Sequence, residues 1–260
     1  MPDAFYERDG DGFRASALTR GPWDPGHQHA GPPAALIGRE IEALVDSDSF
    51  QVGRVTFEIL RPVPIGPVSV AAEVVRPGRR VQLVEATLRD GDGEDLIRAR
   101  SWRIRVSDLD LPDDVLELRD PPPLPDEEST EFFPTGQEVG YHSAMEWRSA
   151  EGSFVEPGPA KVWMRQRVPL VAGEEPSPLQ RSLVIADVGN GVSAVLDWRR
   201  YIFVNVDLTV NLERLPEGEW ICVDAVTRPR ESGIGSAESE LSDRRGRIGR
   251  AVQTLLFAER

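Results

Sequence analysis

The chain has 260 residues, 40% of them apolar and 28% charged, with a formal net charge of −14. These proportions suit a globular protein with a sizeable core and exclude a disordered or fibrous one, and a chain of this length removes roughly three quarters of its unfolded surface from water on folding. The acidic balance repels nucleic acid and anionic lipid, and no arginine-and-aromatic stripe offsets it. No apolar run reaches the roughly 20 residues that span a bilayer, and Met1 to Arg14 lacks a secretory apolar region, so a soluble cytoplasmic protein is expected. The single cysteine, Cys222, precludes an internal disulfide or a cysteine-based metal site and reads as a core residue.

Taken in chain order, residues 4–20 carry short strand-like runs. Gly31-Pro32-Pro33 then opens a segment with Ala34, Ile37, Ile41, Leu44 and Val45 at helical spacing, with proline in the first turn. Four Val- and Ile-rich runs follow, near 51–63, 67–77, 80–90 and 95–107, separated by Gly, Pro and Asp turn signals that make antiparallel neighbours. Asp108 to Thr130 is acidic, contains Pro121-Pro122-Pro123 and reads as an extended linker. After it come strand-like runs near 141–148 and 160–168. Ser177-Pro178 caps a helix with Leu179, Leu183, Val184 and Ala186, and strands are expected near 200–212, 219–229, 233–243 and 247–258.

The second series repeats the first. Val68 to Pro77 matches Trp220 to Pro229 with the Arg-Pro pair shifted by 152, Arg98-Ala99 returns as Arg250-Ala251, and Arg54 to Arg61 resembles Asp207 to Arg214 at a shift of 153. A helix laid across a curved antiparallel sheet is a hotdog, whose exposed edge and apolar face call for a second copy. The expectation is therefore an α+β double hotdog: an N-terminal unit over 1–115, a linker over 116–130 and a C-terminal unit over 131–260, the two pairing into one extended sheet.

Several stretches carry a family resemblance: Gly21-Pro22-Trp23, His29-Ala30-Gly31-Pro32-Pro33-Ala34-Ala35-Leu36, Ala186-Asp187-Val188-Gly189-Asn190-Gly191, Asn205-Val206-Asp207-Leu208 and Ala251-Val252-Gln253. Together they resemble the acyl-CoA thioesterase II-like double-hotdog proteins of the actinobacterial type, over nearly the whole chain. The resemblance implies hydrolysis of acyl-CoA or another acyl thioester by a water that an acid, a hydroxyl residue and a glutamine orient. Asp187 matches the acid and Gln253 the glutamine. Asn205 stands where well-studied members have threonine or serine, and Ala30 stands where many have a second glycine. Substrate contacts are expected at His29, Ala30, Gly31, Gly189 and Asn190, with no cofactor and a homodimer as a further expectation.

The residues support this reading independently and leave alternatives open. Asp187 ends an apolar helix beside Gly189-Asn190-Gly191, where a partly desolvated carboxylate gains basicity; the other reading is a turn-stabilising aspartate. Gln253, whose counterpart in the first copy is near Ser101, and Asn205 are amides that either hold a water or join strands. The N–H groups of Ala30 and Gly31, at the positive end of the first helix, suit a thioester carbonyl oxygen as well as a plain helix start. His27 and His29 lack a third metal ligand, the Asp-x-Asn-Pro-x-His signature of hydratases does not occur, and neither does the G-x-S-x-G elbow of serine hydrolases. A binding protein that retains an acyl ligand without turnover is the alternative to the hydrolase, and Asn205 is the residue that favours it.

Overall fold

Alternating burial along the strands and two helices buried nearly all round are the marks of a sheet wrapped around helices. The computed structural model describes residues 3–44, 49–112, 115, 120–132 and 135–260. The first unit opens with a hairpin, β1 (Tyr6–Asp9) and β2 (Gly12–Ala15), followed by helix α1 (Gly31–Glu42). Strands β3 (Phe50–Ile59), β4 (Pro67–Arg76), β5 (Val81–Asp90) and β6 (Asp95–Arg105) complete it. In the second unit a helical turn, α2 (Tyr141–Ala144), precedes β7 (Met145–Ser153), β8 (Glu156–Gln166), helix α3 (Pro178–Ala186) and the short turn α4 (Gly189–Val192). Strands β9 (Tyr201–Asn205), β10 (Asp207–Leu212), β11 (Ile221–Pro229), β12 (Ile234–Asp243) and β13 (Gly246–Glu259) end the chain. Val45, expected to extend the first helix, lies outside the described residues, as do 116–119 of the expected linker.

The described strands form one antiparallel sheet in the order β1-β2-β4-β5-β6-β3-β10-β13-β12-β11-β8-β7, with β9 also on β13. The order reads alike from both ends, as two copies related by a twofold axis require. The axis passes between β3 and β10, where Thr56 faces Thr209, its own counterpart at the shift of 153, and their hydroxyls hydrogen-bond at 3.0 Å. The fold is a double hotdog. Buried α1 and α3 cross on the concave face, and the main core joins both to the two halves of the sheet. Cys222, expected in the core, is buried on the opposite face of β11 from the core residues Ile221 and Val223, and burial pushes its thiol up to about 12.

Three expectations change in detail. The strand expected over 200–212 is broken at Val206, which donates to the Thr254 carbonyl and accepts from Ile59 N–H. The register moves from Asn205 opposite Leu255 to Thr209 opposite Val252, a one-residue bulge that re-aims its neighbours. Residues 141–144 form a helical turn where a strand start was expected. The proline-rich stretch is not a free tether: the Pro122 carbonyl accepts from the Trp163 indole, that of Pro125 from Arg148, and Ser129 N–H donates to Trp147. No helix among the described residues is long and apolar enough to cross a membrane.

The helices meet end to end as well as side to side. A Cβ on Gly31 would lie 2.2 Å from the Val184 carbonyl oxygen, a backbone atom that cannot step aside. Gly31→Ala should therefore lower unfolding free energy by about 1–3 kcal/mol, the usual cost of overpacking, read as a lower denaturant midpoint with unchanged slope.

Candidate active site

The N-terminus of α1 is short of partners by construction. Pro32 and Pro33 have no N–H, and Ala30 provides no side-chain cap, so the N–H groups of Ala30 and Gly31 are the free donors of the first turn. Gly31 N–H donates to Nδ1 of His29 at 3.1 Å, and both N–H groups also help hold the Asp187 carboxyl. His29 is fixed by its own backbone: its N–H donates to Thr19, and neighbouring Gln28 is tied to Val63 and Pro64 and accepts from the Tyr6 hydroxyl. The imidazole stacks on Tyr141 at 3.9 Å with 5° between the planes, and the Tyr141 hydroxyl donates to the Val184 carbonyl at 3.0 Å.

Asp187 caps the C-terminal end of α3, 4% exposed, and the remaining elements converge on it. Its Oδ1 accepts from Nδ2 of Asn205 at 2.8 Å and from Nε2 of Gln253 at 3.0 Å; Oδ2 lies 3.3 Å from His29 Nδ1. The period-2 pattern of β13 turns Gln253 inward with Ala251 and Leu255. Asn205 reaches the carboxyl from the strand edge that the Val206 bulge re-aims, and its second amide hydrogen goes to the Asp207 carbonyl. Gln253 also donates to the Asp187 carbonyl and accepts from Asn190 N–H. Both amide groups thus spend their hydrogens on protein acceptors, and the carbonyl oxygen of Asn205 is the one they leave toward the cavity.

Burial pushes the Asp187 carboxyl up to about 7, against the pull of Asn205, Gln253 and the two backbone donors. Burial lowers the His29 imidazole to about 3. The contact between them is therefore not an ion pair at neutral pH: the ring is neutral, and the proton of the pair resides on the carboxyl when it is held at all. His29 in this position is the feature that sequence reasoning missed. The H-x-H spacing drew attention to a metal, whereas the signal was the adjacency of His29 to the proline-blocked helix start.

A cavity of about 330 Å³ opens beside these groups. Its lining includes His29, Ala30, Asp187, Asn190 and Asn205, walls of Trp23, Phe203, Tyr141, Phe132 and Phe154, and a half-exposed apolar rim at Leu60 and Val206. Gly31 and Gly189, expected to touch substrate, do not line it. Gly31 is packed against α3, and a Cβ on Gly189 would sit 2.4 Å from the Ser239 hydroxyl, so these glycines allow close packing. Gln253 lies behind the wall. Among the described residues no three His, Cys, Asp or Glu side chains gather as a metal would require.

Models of the acyl-CoA thioesterase N-terminal and C-terminal domains match residues 19–104 and 112–257. No curated protein matches the chain. Among solved structures, a protein described as a candidate thioesterase II from Thermobifida fusca is 17% identical, with 98% of this chain and 96% of that one covered at a TM-score of 0.75. A hot dog-fold protein of unknown function from Alicyclobacillus acidocaldarius is 17% identical over 98% and 97%, at 0.72. An acyl-CoA thioesterase II from Mycobacterium marinum is 14% identical over 98% and 94%, at 0.63.

The buried carboxyl makes stability depend on pH. Between its ordinary 3.8 and about 7 the unfolded chain has released a proton that the native chain retains, so stability falls as pH rises through this window. Asp187→Asn keeps the shape and removes the charge. Its melting temperature should exceed that of the parent by a few degrees at pH 8, with the gap closing toward pH 4 in a calorimetric series.

Proposed function

We propose that this chain, which belongs to the acyl-CoA thioesterase family, hydrolyses acyl thioesters with Asp187 as general base for an attacking water. The observation that carries the reading is a carboxyl at a cavity wall, held by two amides and raised to about 7. A base with a pKa near the working pH combines useful basicity with a sufficient deprotonated fraction. Asn205 and Gln253 occupy Oδ1, which leaves Oδ2 to take a proton. A water that donates one hydrogen to Oδ2 and the other to the free carbonyl oxygen of Asn205 presents a lone pair to a thioester carbon in the cavity.

Attack forms a carbon–oxygen bond and moves the carbonyl electrons onto oxygen, while Asp187 takes the water's proton. The positive end of α1, at Ala30 on the cavity wall, favours the charge on that oxygen through the helix dipole, while the N–H groups of Ala30 and Gly31 serve Asp187. Collapse breaks the carbon–sulfur bond, and the proton passes from Asp187 to the departing sulfur, giving a carboxylic acid and a thiol. Gln253 does not touch the water on this reading; it positions Asp187. A cytoplasmic place and an acyl-CoA partner accord with the family.

Release of free thiol across a series of acyl-CoA chain lengths tests the reading. At least one chain length should be turned over, and Asp187→Asn should cost about 10²- to 10⁴-fold in kcat; acyl-CoA that binds without thiol release would favour the ligand-retaining alternative instead. In the parent, kcat/KM should rise with pH to a plateau, with its midpoint near 7, because only the carboxylate accepts a proton. Asn205→Ala removes a donor that holds the pKa down, so its rising limb should move to higher pH, a shift that a merely structural amide would not produce.

A further inference from the structure

Beside the cavity lies a second, smaller apolar cluster that the proposed chemistry does not use. Ala194, Phe203, Ala237, Leu255 and Phe257 are its buried members, and Trp23, Trp198 and Tyr201 pack against it from outside. Trp23 meets Phe203 edge to face at 4.8 Å, and both line the cavity. Three exposed arginines rest on this aromatic platform. Arg260 lies over Trp23 at 5.6 Å and over Trp198 at 5.8 Å, Arg199 over Trp198 at 5.9 Å, and Arg200 over Tyr201 at 5.5 Å. The backbone joins them as well: Arg260 N–H donates to the Arg200 carbonyl, and the tight turn ahead of β9 is closed on Asp197, whose side chain accepts from Arg199 N–H.

Many arginines of this chain spend their charge on carboxylates across strands, such as Arg100 on Glu85 and Arg247 on Glu213. Among the described residues none of the three guanidinium groups on the platform has a carboxylate within 4.0 Å. Stacking on rings orients a guanidinium while leaving its N–H edge free, which suits bidentate contact with phosphate oxygens. Arg260 rests on Trp23, which lines the cavity, so the platform stands next to the cavity, and on a chain of net charge −14 its three free edges are a local reversal of sign.

We propose that Arg199, Arg200 and Arg260, mounted on Trp198, Tyr201 and Trp23, bind the phosphate groups of the nucleotide end of a coenzyme A thioester whose acyl end lies beside Asp187. This rests on the thioester reading above and specifies the carrier. A compact polyanion meets only the three guanidinium groups. An acidic carrier protein covering a wider area would meet the repulsion of the surrounding acidic surface.

The test separates the carrier from the chemistry. An acyl-CoA and the N-acetylcysteamine thioester of the same acid, which has no nucleotide, are compared on the parent, on Arg199→Ala/Arg200→Ala, and on Arg79→Ala/Arg80→Ala. The last pair sits in the turn between β4 and β5, at the Phe50 end of β3, and β3 is ten residues or ~30 Å long. The platform variant should raise KM for the acyl-CoA by about ten- to a hundredfold, the worth of one or two charge-assisted hydrogen bonds. Its kcat, its handling of the short thioester and its melting temperature should be unchanged, the effect should shrink at high salt, and the control pair should behave as the parent. Equal losses on both thioesters, an unchanged KM for acyl-CoA, or turnover of an acyl carrier protein that the platform variant alone impairs would overturn the proposal. Calorimetric titration with adenosine 3′,5′-bisphosphate decides the site without turnover: the parent should bind it and the platform variant should not. Binding without hydrolysis of any thioester would remove the proposed reaction and keep the site, whereas absence of binding by the parent would remove the site.

Discussion

The structure depends on the junction where the N-terminus of α1 abuts the C-terminus of α3. Two orphan N–H groups, left so by Pro32-Pro33, face the end of a helix whose last carbonyls and Asp187 are negative. Each end satisfies the other, and Gly31 lets them approach to a distance no side chain permits. An aspartate at the C-terminal end of its own helix is electrostatically unfavourable; the opposing helix start and two inward amides offset that, while burial keeps the carboxyl only partly ionised at neutral pH. The tension between these terms makes a basic carboxylate in a folded interior possible, at a cost in stability above the carboxyl's ordinary range.

Pseudosymmetry explains why this arrangement exists at one end of the molecule. The twofold between Thr56 and Thr209 produces a second helix junction, where Glu42 at the end of α1 faces the start of α3. There the carboxyl accepts from the Ser177 hydroxyl at 2.7 Å and from Gln180 at 3.2 Å, so the acid ties one helix to the cap of the other. The counterpart of Gln253 is near Ser101, too short to cross to a helix end, and the shift of 153 sets Val52 where Asn205 stands in the second copy. Duplication supplied two equivalent junctions, each beside a cavity, and side-chain divergence tied the Glu42 carboxyl to the α3 cap where the Asp187 carboxyl meets two inward amides.

The cavity wall couples that junction to its surroundings. Tyr141 bonds the Val184 carbonyl and stacks on His29, while the loop bearing His29 is pinned by Tyr6, Thr19 and Val63. Residues far apart in the chain thus fix one imidazole, and through it the second oxygen of Asp187. Such multiple anchoring is what keeps a partly satisfied polar cluster in one geometry.

The sequence by itself determined the element order, the duplication and the pairing of the copies. Periodicity and turn chemistry are local properties, and the repeat at a shift of 153 between Arg54–Arg61 and Asp207–Arg214 agrees with the pairing of Thr56 and Thr209 on the axis. Its family resemblance also singled out Asp187, Asn205 and Gln253, and the local pattern, an aspartate ending an apolar helix and a glutamine among apolar strand neighbours, agreed with it. Only the tertiary structure decided what those groups do to one another. The Val206 bulge aims Asn205, the two amides turn to the carboxyl and leave one amide oxygen toward the cavity, His29 replaces a substrate as the partner of Gly31 N–H, and Gly31 and Gly189 are consumed in packing. The reason is physical: a residue's place on a strand or helix follows from its neighbours in sequence, but which donor reaches which acceptor depends on distances between elements that meet only when the core closes.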